Sequence, residues 1–243
     1  ACRSKVAALV DITTLDACHQ LTNQTIDTAR VELAKVIESA QAQVAVPTVS
    51  HYIVAEWSDA HAAQPWCRLL ALVPRPSLSS TTRSGACVVS VYGMGGVGKS
   101  TVCELVAQKV AADQTDSGRY YDSVYWVQLG QVSDESNVIA KMVALATSLS
   151  KTEVSAPTIR VAVNLLRDAL AGKAVLIVID DCWSDVLAEH FLSVVRDSRC
   201  GRCCLVFSTR AERIAVGVAG DDRVVHVEPM EPKAGEDMLL AYA

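Results

Sequence analysis

A glycine-rich segment from Gly93 to Ser100 restricts the possible fold of this chain more than any other feature. It carries four glycines, follows an apolar run from Cys87 to Tyr92 and precedes a helix-like run from Thr101 to Ala112. A strand, a glycine loop and a helix in this order let successive backbone N–H groups face one anion, and the helix dipole adds positive potential there. The segment therefore predicts a phosphate-binding loop.

Two side chains at the end of this loop suit the same ligand. Lys99 supplies a point charge for terminal phosphates, and Ser100 supplies a hydroxyl for a magnesium ion. An ordinary glycine-rich turn is the alternative, and the flanking strand and helix argue against it. The candidate nucleotide-binding residues are Gly93, Met94, Gly95, Gly96, Val97, Gly98, Lys99, Ser100 and Thr101.

Composition indicates a globular chain whose ligand is small. With 243 residues, of which 51% are hydrophobic, it can form one large α/β domain and a smaller appendage. The net charge is -5 and no basic stripe is present, which argues against nucleic acid as the main ligand. The apolar run from Val6 to Val10 is too short for a secretory signal, and no run approaches a membrane span. We expect a cytoplasmic protein.

The nine cysteines have irregular spacings and an odd count. Reduced thiols that pack as small hydrophobic groups are therefore expected, without a disulfide framework. The cluster of Cys200, Cys203 and Cys204 lacks the second half of a four-ligand zinc site. No zinc site is predicted there.

The first third of the chain is predicted to be helical. From Leu15 to Val44 the apolar residues fall mostly three or four apart, which predicts one amphipathic helix in a bundle or, alternatively, in a coiled coil. A second helical stretch, broken at Pro65, is predicted within residues 51–73. The predicted organisation is a helical amino-terminal region at 1–73, a linker rich in Pro and Ser at 74–85, and a nucleotide-binding domain at 86–243.

Within the third region, strand-like and helix-like runs alternate. This alternation predicts a parallel sheet that is covered by helices on both faces. The predicted elements are strands at 87–92, 123–129, 174–179, 203–208 and 223–227 and helices at 101–112, 135–148, 158–171 and 185–197.

Two aspartates follow the apolar run from Val175 to Ile179 directly. Ligands of open parallel sheets lie beyond the carboxyl ends of the strands. Asp180 suits a magnesium ion that bridges phosphate oxygens, and Asp181 could orient or deprotonate an attacking water. The alternative is a surface turn in which the aspartates cap a helix.

An arginine stands in a similar place after another apolar run. Leu205 to Phe207 leads into Ser208, Thr209 and Arg210. The guanidinium of Arg210 could bind the terminal phosphate and report its presence, or it could form a surface ion pair. The N-K-x-D element of guanine-specific GTPases is absent, which favours adenine.

Together these residues resemble the NB-ARC class of STAND signalling ATPases, which occur in plant intracellular immune receptors and apoptosome-type proteins. Gly93 to Thr101 is similar to the Walker A motif of that family, and Tyr120 to Val127 resembles its F-D-x-x-x-W-V segment. Leu176 to Trp183 resembles its Walker B motif, and Ser208 to Arg210 resembles its T-T-R sensor.

The resemblance implies a P-loop NTPase with a five-stranded sheet, in which the sensor strand lies between the Walker A and Walker B strands. Arg210 would then lie beside Lys99 and Asp180. It further implies an ATP/ADP switch with slow ATP hydrolysis, self-association or a protein signalling partner, and a role in defence or cell-death signalling. The catalytic candidates are Lys99, Asp181 and Arg210, and the metal candidates are Ser100 and Asp180.

The family's G-L-P-L, M-H-D and G-R-E elements are not recognisable, so the nucleotide-binding domain is expected to be truncated before the helical lid. Two other functions stay open. One is a turnover P-loop ATPase or kinase that acts on a separate acceptor. The other is a non-catalytic assembly adaptor for which the nucleotide is structural.

Overall fold

The computed structural model describes residues 65–74, 86–112, 114–115, 118–119, 121–131 and 134–230. The helix predicted from Leu15 to Val44, nearly all of the predicted linker and the segment from Glu231 onward lie outside the described residues.

Most helices and strands of the described chain lie where the sequence predicts them. In chain order they are α1 (Pro65–Leu72), β1 (Cys87–Tyr92), α2 (Lys99–Ala112), β2 (Gln114–Thr115), β3 (Gly118–Arg119), β4 (Ser123–Gln128), α3 (Glu135–Ser150), α4 (Ile159–Leu170), β5 (Val175–Asp180), α5 (Asp185–Val195), β6 (Cys204–Thr209), α6 (Glu212–Ala219) and β7 (Val224–His226).

One five-stranded sheet organises the fold, with the strand order β4-β5-β6-β1-β7. All four neighbouring pairs are parallel. The strand β6 lies between β5 and β1, which confirms the order that the family resemblance implies. Because parallel strands end at the same edge, the segments after β1, β5 and β6 meet there.

The sheet divides the core into two layers. In β5, the side chains of Ile177 and Ile179 pack with helices α3, α4 and α5, whereas Leu176 and Val178 pack with α1 and α2 on the opposite face. Every residue of β5 and β6 is buried. The apolar runs from Val175 to Ile179 and from Leu205 to Phe207 are explained by this burial on both faces.

Side-chain caps begin three of the helices at or near the predicted positions. Asp134 accepts a hydrogen bond from the Asn137 N–H at 2.8 Å at the start of α3. Thr158 and Ser184 cap α4 and α5 in the same way. Such caps satisfy N–H groups that have no acceptor within the helix.

Pro65 begins α1, since proline is favoured in the first turn of a helix, and the part of the predicted helical stretch before Pro65 lies outside the described residues. The structure departs from the prediction at two places. The helix α6 was missed, since its sequence contains Gly217 and β-branched residues and depends on the burial of Ile214 and Ala215. The antiparallel pair of β2 and β3 was also missed.

Candidate functional site

The glycine loop connects the end of β1 to α2, which begins at Lys99. Gly96 and Gly98 have φ values of 77° and 97°, in the region that favours glycine. A Cβ atom added at either residue would meet no described heavy atom within 4 Å. The backbone conformation, and not a lack of space, therefore requires glycine at these two positions.

The remaining loop residues differ in exposure. The side chain of Met94 is exposed, and Val97 packs at the margin of the core layer that contains α2. Thr101 is half-buried in the first turn of α2. The N–H groups of a first helical turn have no acceptor within the helix, so this end of α2 suits an anion.

Lys99 is buried beneath the loop, with 7% of its surface exposed. Its Nζ donates a hydrogen bond to the Met94 carbonyl at 2.7 Å. Burial lowers the pKa of Lys99, the charge of Arg210 lowers it further, and Asp181 and Asp180 act in the opposite direction. Two cations therefore approach each other at the loop, and an anion placed between them would relieve their repulsion.

Asp180 is the last residue of β5 and is buried. Its carboxylate accepts hydrogen bonds from Ser100 Oγ at 2.9 and 3.1 Å and a short hydrogen bond from Ser208 Oγ. The carboxylate and the Ser100 hydroxyl are adjacent hard oxygen donors, which are the ligands that Mg²⁺ prefers. This donor set fits a magnesium ion.

Asp181 occupies a left-handed conformation with φ of 55°. Its N–H donates to Ser208 Oγ at 2.9 Å, and its Oδ1 lies 3.8 Å from Arg210 Nε. Because Ser208 bonds to Asp180 as well, one hydroxyl orients both aspartates. In the sequence, Ser208 stood out only as part of the sensor motif, and its contact with the two aspartates was not predicted. The sequence feature that could have indicated this role is the position of Ser208 near the end of β6, the strand next to β5.

Arg210 follows β6 and reaches back over the glycine loop. A Cβ atom added at Gly95 would lie only 3.0 Å from Arg210 Nη1. The Arg210 Cζ lies 4.5 Å from the centre of the Trp183 ring, a cation–π contact. Arg210 thus combines an ion pair with Asp181 and a position against the loop. Trp183 was quoted within a motif, but its contact with Arg210 was not foreseen.

The structure brings most of the candidate residues together at one edge of the sheet. Lys99 and Ser100 arrive from α2, Asp180 and Asp181 from the end of β5, and Arg210 from the end of β6. Gly93 lies beside this group, against the backbone of the segment that follows β7. This arrangement of a parallel sheet and a glycine loop defines the class as a P-loop NTPase fold.

Comparison with known proteins gives the family. Residues 76–243, more than two thirds of the chain, match the NB-ARC domain. The chain belongs to the NB-ARC family. This confirms the resemblance that the motifs indicated.

The relatives are much longer than this chain. A probable disease resistance protein of Arabidopsis thaliana is 28% identical over 152 residues, which cover 61% of this chain and 15% of that protein. The disease resistance protein UNI of Arabidopsis thaliana is also 28% identical over 152 residues, 61% of this chain and 16% of UNI. The chain thus spans about one sixth of the length of these relatives.

Among solved structures, the crystal structure of Cdc6p from Pyrobaculum aerophilum is similar, with a TM-score of 0.55 and 16% identity. The match covers 84% of this chain and 52% of Cdc6p, and it supports the fold alone. In the part of the chain that the structure describes, no helix combines the length and apolar character that crossing a membrane requires.

Proposed function

We propose that this chain is a switch module that binds Mg-ATP and ADP in a defence signalling protein and hydrolyses ATP slowly. The convergence of Lys99, Arg210 and the Ser100–Asp180 pair on the glycine loop carries this proposal. The names of the Arabidopsis relatives support the defence context. Self-association or binding of a signalling protein, in the cytoplasm, would transmit the nucleotide state.

In this proposal the residues have separate roles. Backbone N–H groups from Gly95 to Ser100 bind phosphate oxygens, and Lys99 neutralises charge on the terminal phosphates. The Lys99 ammonium has three N–H donors, so its hydrogen bond to the Met94 carbonyl leaves two donors for phosphate oxygens. The hydroxyl of Ser100 and the carboxylate of Asp180 would hold Mg²⁺, which neutralises charge on the β- and γ-phosphates when bound.

The residues after β5 and β6 would act on the terminal phosphate. Arg210 already lies against Gly95, so its guanidinium can bind a γ-phosphate oxygen after a small side-chain movement. Asp181 would orient the attacking water, and its distance of 3.8 Å from Arg210 Nε keeps the two groups coupled. Loss of the γ-phosphate would release Arg210 toward Asp181 and Trp183, which provides a physical basis for a switch.

The adenine preference rests on the absence of the guanine-specific element in the sequence. We expect any nucleotide that the chain retains through purification to be ADP or ATP. Denaturing the purified protein and separating the released small molecules by chromatography identifies the nucleotide. Release of GDP or GTP alone would overturn the adenine assignment.

The site itself is tested by a nucleotide-induced shift in stability. At a nucleotide concentration 100 times the dissociation constant, binding should stabilise the folded chain by about 2.7 kcal/mol. The substitution Lys99→Ala should abolish this shift, because it removes the buried cation of the loop. The matched control is Lys109→Ala, since Lys109 is an exposed residue of the same helix about 15 Å further along it. An equal shift in both variants would refute the site assignment.

A further inference from the structure

The opposite end of the sheet carries a pair of cysteines that the proposed nucleotide site does not use. Cys87 and Cys204 are the first residues of β1 and β6 and are directly paired in the register of these parallel strands. Both side chains lie on the face that packs against α1 and α2. Adjacent strands are about 4.8 Å apart, within the range of about 4.4–6.8 Å between the Cα atoms of disulfide-bonded cysteines.

The two thiols have different surroundings. Arg223 Nη1 donates to Cys87 Sγ at 3.4 Å. A hydrogen bond from Cys204 is the largest cause that lowers the pKa of Cys87 to about 7, and the charge and hydrogen bond of Arg223 lower it as well, against the effect of burial. The same hydrogen bond, together with burial, raises the pKa of the Cys204 thiol. Cys87 is therefore the more acidic thiol of the pair.

The two cysteines also differ in solvent exposure, and Cys87 is again the one better suited to react first. Cys87 has 7% of its surface exposed, whereas Cys204 has 0%. Arg223, which contacts the Cys87 sulfur, is itself an exposed residue. Oxidant-sensitive cysteines combine a low pKa, access for a small oxidant and a neighbouring thiol that resolves the first product.

We propose that Cys87 and Cys204 form an oxidation site for peroxides, in which Cys87 reacts first and Cys204 resolves the product as a disulfide. In the first step the Cys87 thiolate attacks one oxygen of hydrogen peroxide, and the O–O bond breaks. The departing hydroxide takes up a proton to become water, and Cys87 becomes a sulfenic acid.

The second step forms the disulfide. The Cys204 sulfur attacks the Cys87 sulfur, the S–S bond forms and the S–O bond breaks. The hydroxide that leaves takes the Cys204 proton and becomes the second water. Two thiols lose two electrons in total, and one peroxide gains them.

The oxidation also alters a contact of the preceding helix. In its neutral form Cys87 donates a weak hydrogen bond from Sγ to the Leu72 carbonyl at the end of α1, at 3.7 Å. A disulfide has no proton to donate. Leu72 therefore loses this donor when the pair is oxidised.

Peptide mapping tests the pairing on the intact wild-type chain. Reduced protein is treated with hydrogen peroxide, its remaining thiols are alkylated, and it is digested with trypsin without reduction. Cleavage after Arg83, Lys99, Arg202 and Arg210 places Cys87 in peptide 84–99 and Cys204 in peptide 203–210. We expect these two peptides joined by a disulfide, with fragmentation locating the bond at Cys204.

A different pairing would overturn the proposal. Cys200 and Cys203, which lie just before β6, contact each other through their side chains. A disulfide between them would join peptides 200–202 and 203–210. That product in place of the expected one, or an absence of any disulfide at Cys87, is contrary to the proposal. Cys204→Ser should leave Cys87 as a sulfenic acid that reacts with dimedone, and Cys103→Ser should leave the cross-link unchanged.

The role of Arg223 has a kinetic test. At pH 7 a thiol of pKa about 7 has about 50 times more thiolate than a thiol of pKa about 9. The thiolate of lower pKa is the weaker nucleophile, so its reaction with peroxide is faster by only roughly fivefold. The variant Arg223→Ala should slow the oxidation of Cys87 by roughly twofold, because Arg223 causes only part of the lowered pKa. Arg160→Ala, at an exposed arginine on α4, should leave the rate unchanged. Equal rates in the two variants would exclude Arg223 from the site.

Discussion

Replacement of Gly93 by alanine tests how the glycine loop is held to the sheet. Gly93 follows β1 directly, and a Cβ atom there would lie 2.3 Å from the Val227 carbonyl oxygen and 3.2 Å from Val97 Cγ1. The Val227 N–H donates to the Tyr92 carbonyl at 2.8 Å, so the strand β1 and the segment after β7 are tied together at this point. The obstructing atom belongs to the backbone and cannot move alone.

The magnitude follows from these contacts. Relief of the overlap needs a displacement of about 1 Å, and such overpacking costs about 1–3 kcal/mol. Loss of the Val227–Tyr92 hydrogen bond adds about 0.5–1.5 kcal/mol. The lower conformational entropy of alanine in the unfolded chain offsets about 0.4–1 kcal/mol. These terms sum to about 0.5–4 kcal/mol, and we expect Gly93→Ala to reduce the free energy of unfolding by about 2–3 kcal/mol, near the middle of that range.

Urea unfolding followed by circular dichroism measures this difference, and thermal unfolding should show a Tm lower by about 4–12 °C. The matched control is Gly217→Ala in α6, because an added Cβ there meets no described heavy atom within 4 Å and Gly217 lies within a helix. This control should be neutral or more stable by up to about 1 kcal/mol. A Gly93→Ala variant within about 1 kcal/mol of the wild type would refute the steric reasoning.

Two further predictions concern the charged residues of the site. Asp181→Ala should retain nucleotide binding, measured by calorimetry, but lose the release of phosphate from ATP. The reason is that the carboxylate is proposed to act on water and not on the phosphates. Equal loss of binding and phosphate release would mean that the role of Asp181 is structural. The pKa of Lys99 is lowered from 10.5 in the folded chain without nucleotide. Between the folded-state pKa and the unfolded-state pKa, the unfolded chain therefore binds more protons than the folded chain. As the pH rises through this range, Lys99 destabilises the fold less. The stability of the wild type relative to Lys99→Gln should thus increase from neutral pH toward 10.5, and a flat difference would contradict the lowered pKa.

Local patterns were sufficient for the fold class and for part of the site. The glycine loop, Lys99 and Ser100 are contiguous, and their geometry follows from the strand before them and the helix after them. The apolar run from Val175 to Ile179 predicts a strand buried on both faces because every position is apolar. The structure confirms that the glycine loop joins a strand to a helix and that β5 is buried along its whole length. By contrast, α6 has a weak local helix pattern, so its formation depends on packing that the sequence does not display.

The relation between distant segments was decided by the tertiary structure. The sheet order places β6 between β5 and β1, and this order puts the Ser208 hydroxyl on both aspartates, although Ser208 is 28 residues away from Asp180 along the chain. Arg210 reaches Gly95 and Trp183 for the same reason. Side-chain hydrogen bonds and cation–π contacts of this kind have no sequence period, because they depend on strand order and on side-chain direction in three dimensions. The amino-acid pattern therefore determines that this chain has a phosphate loop on a parallel sheet, and only the folded sheet determines which groups surround that loop.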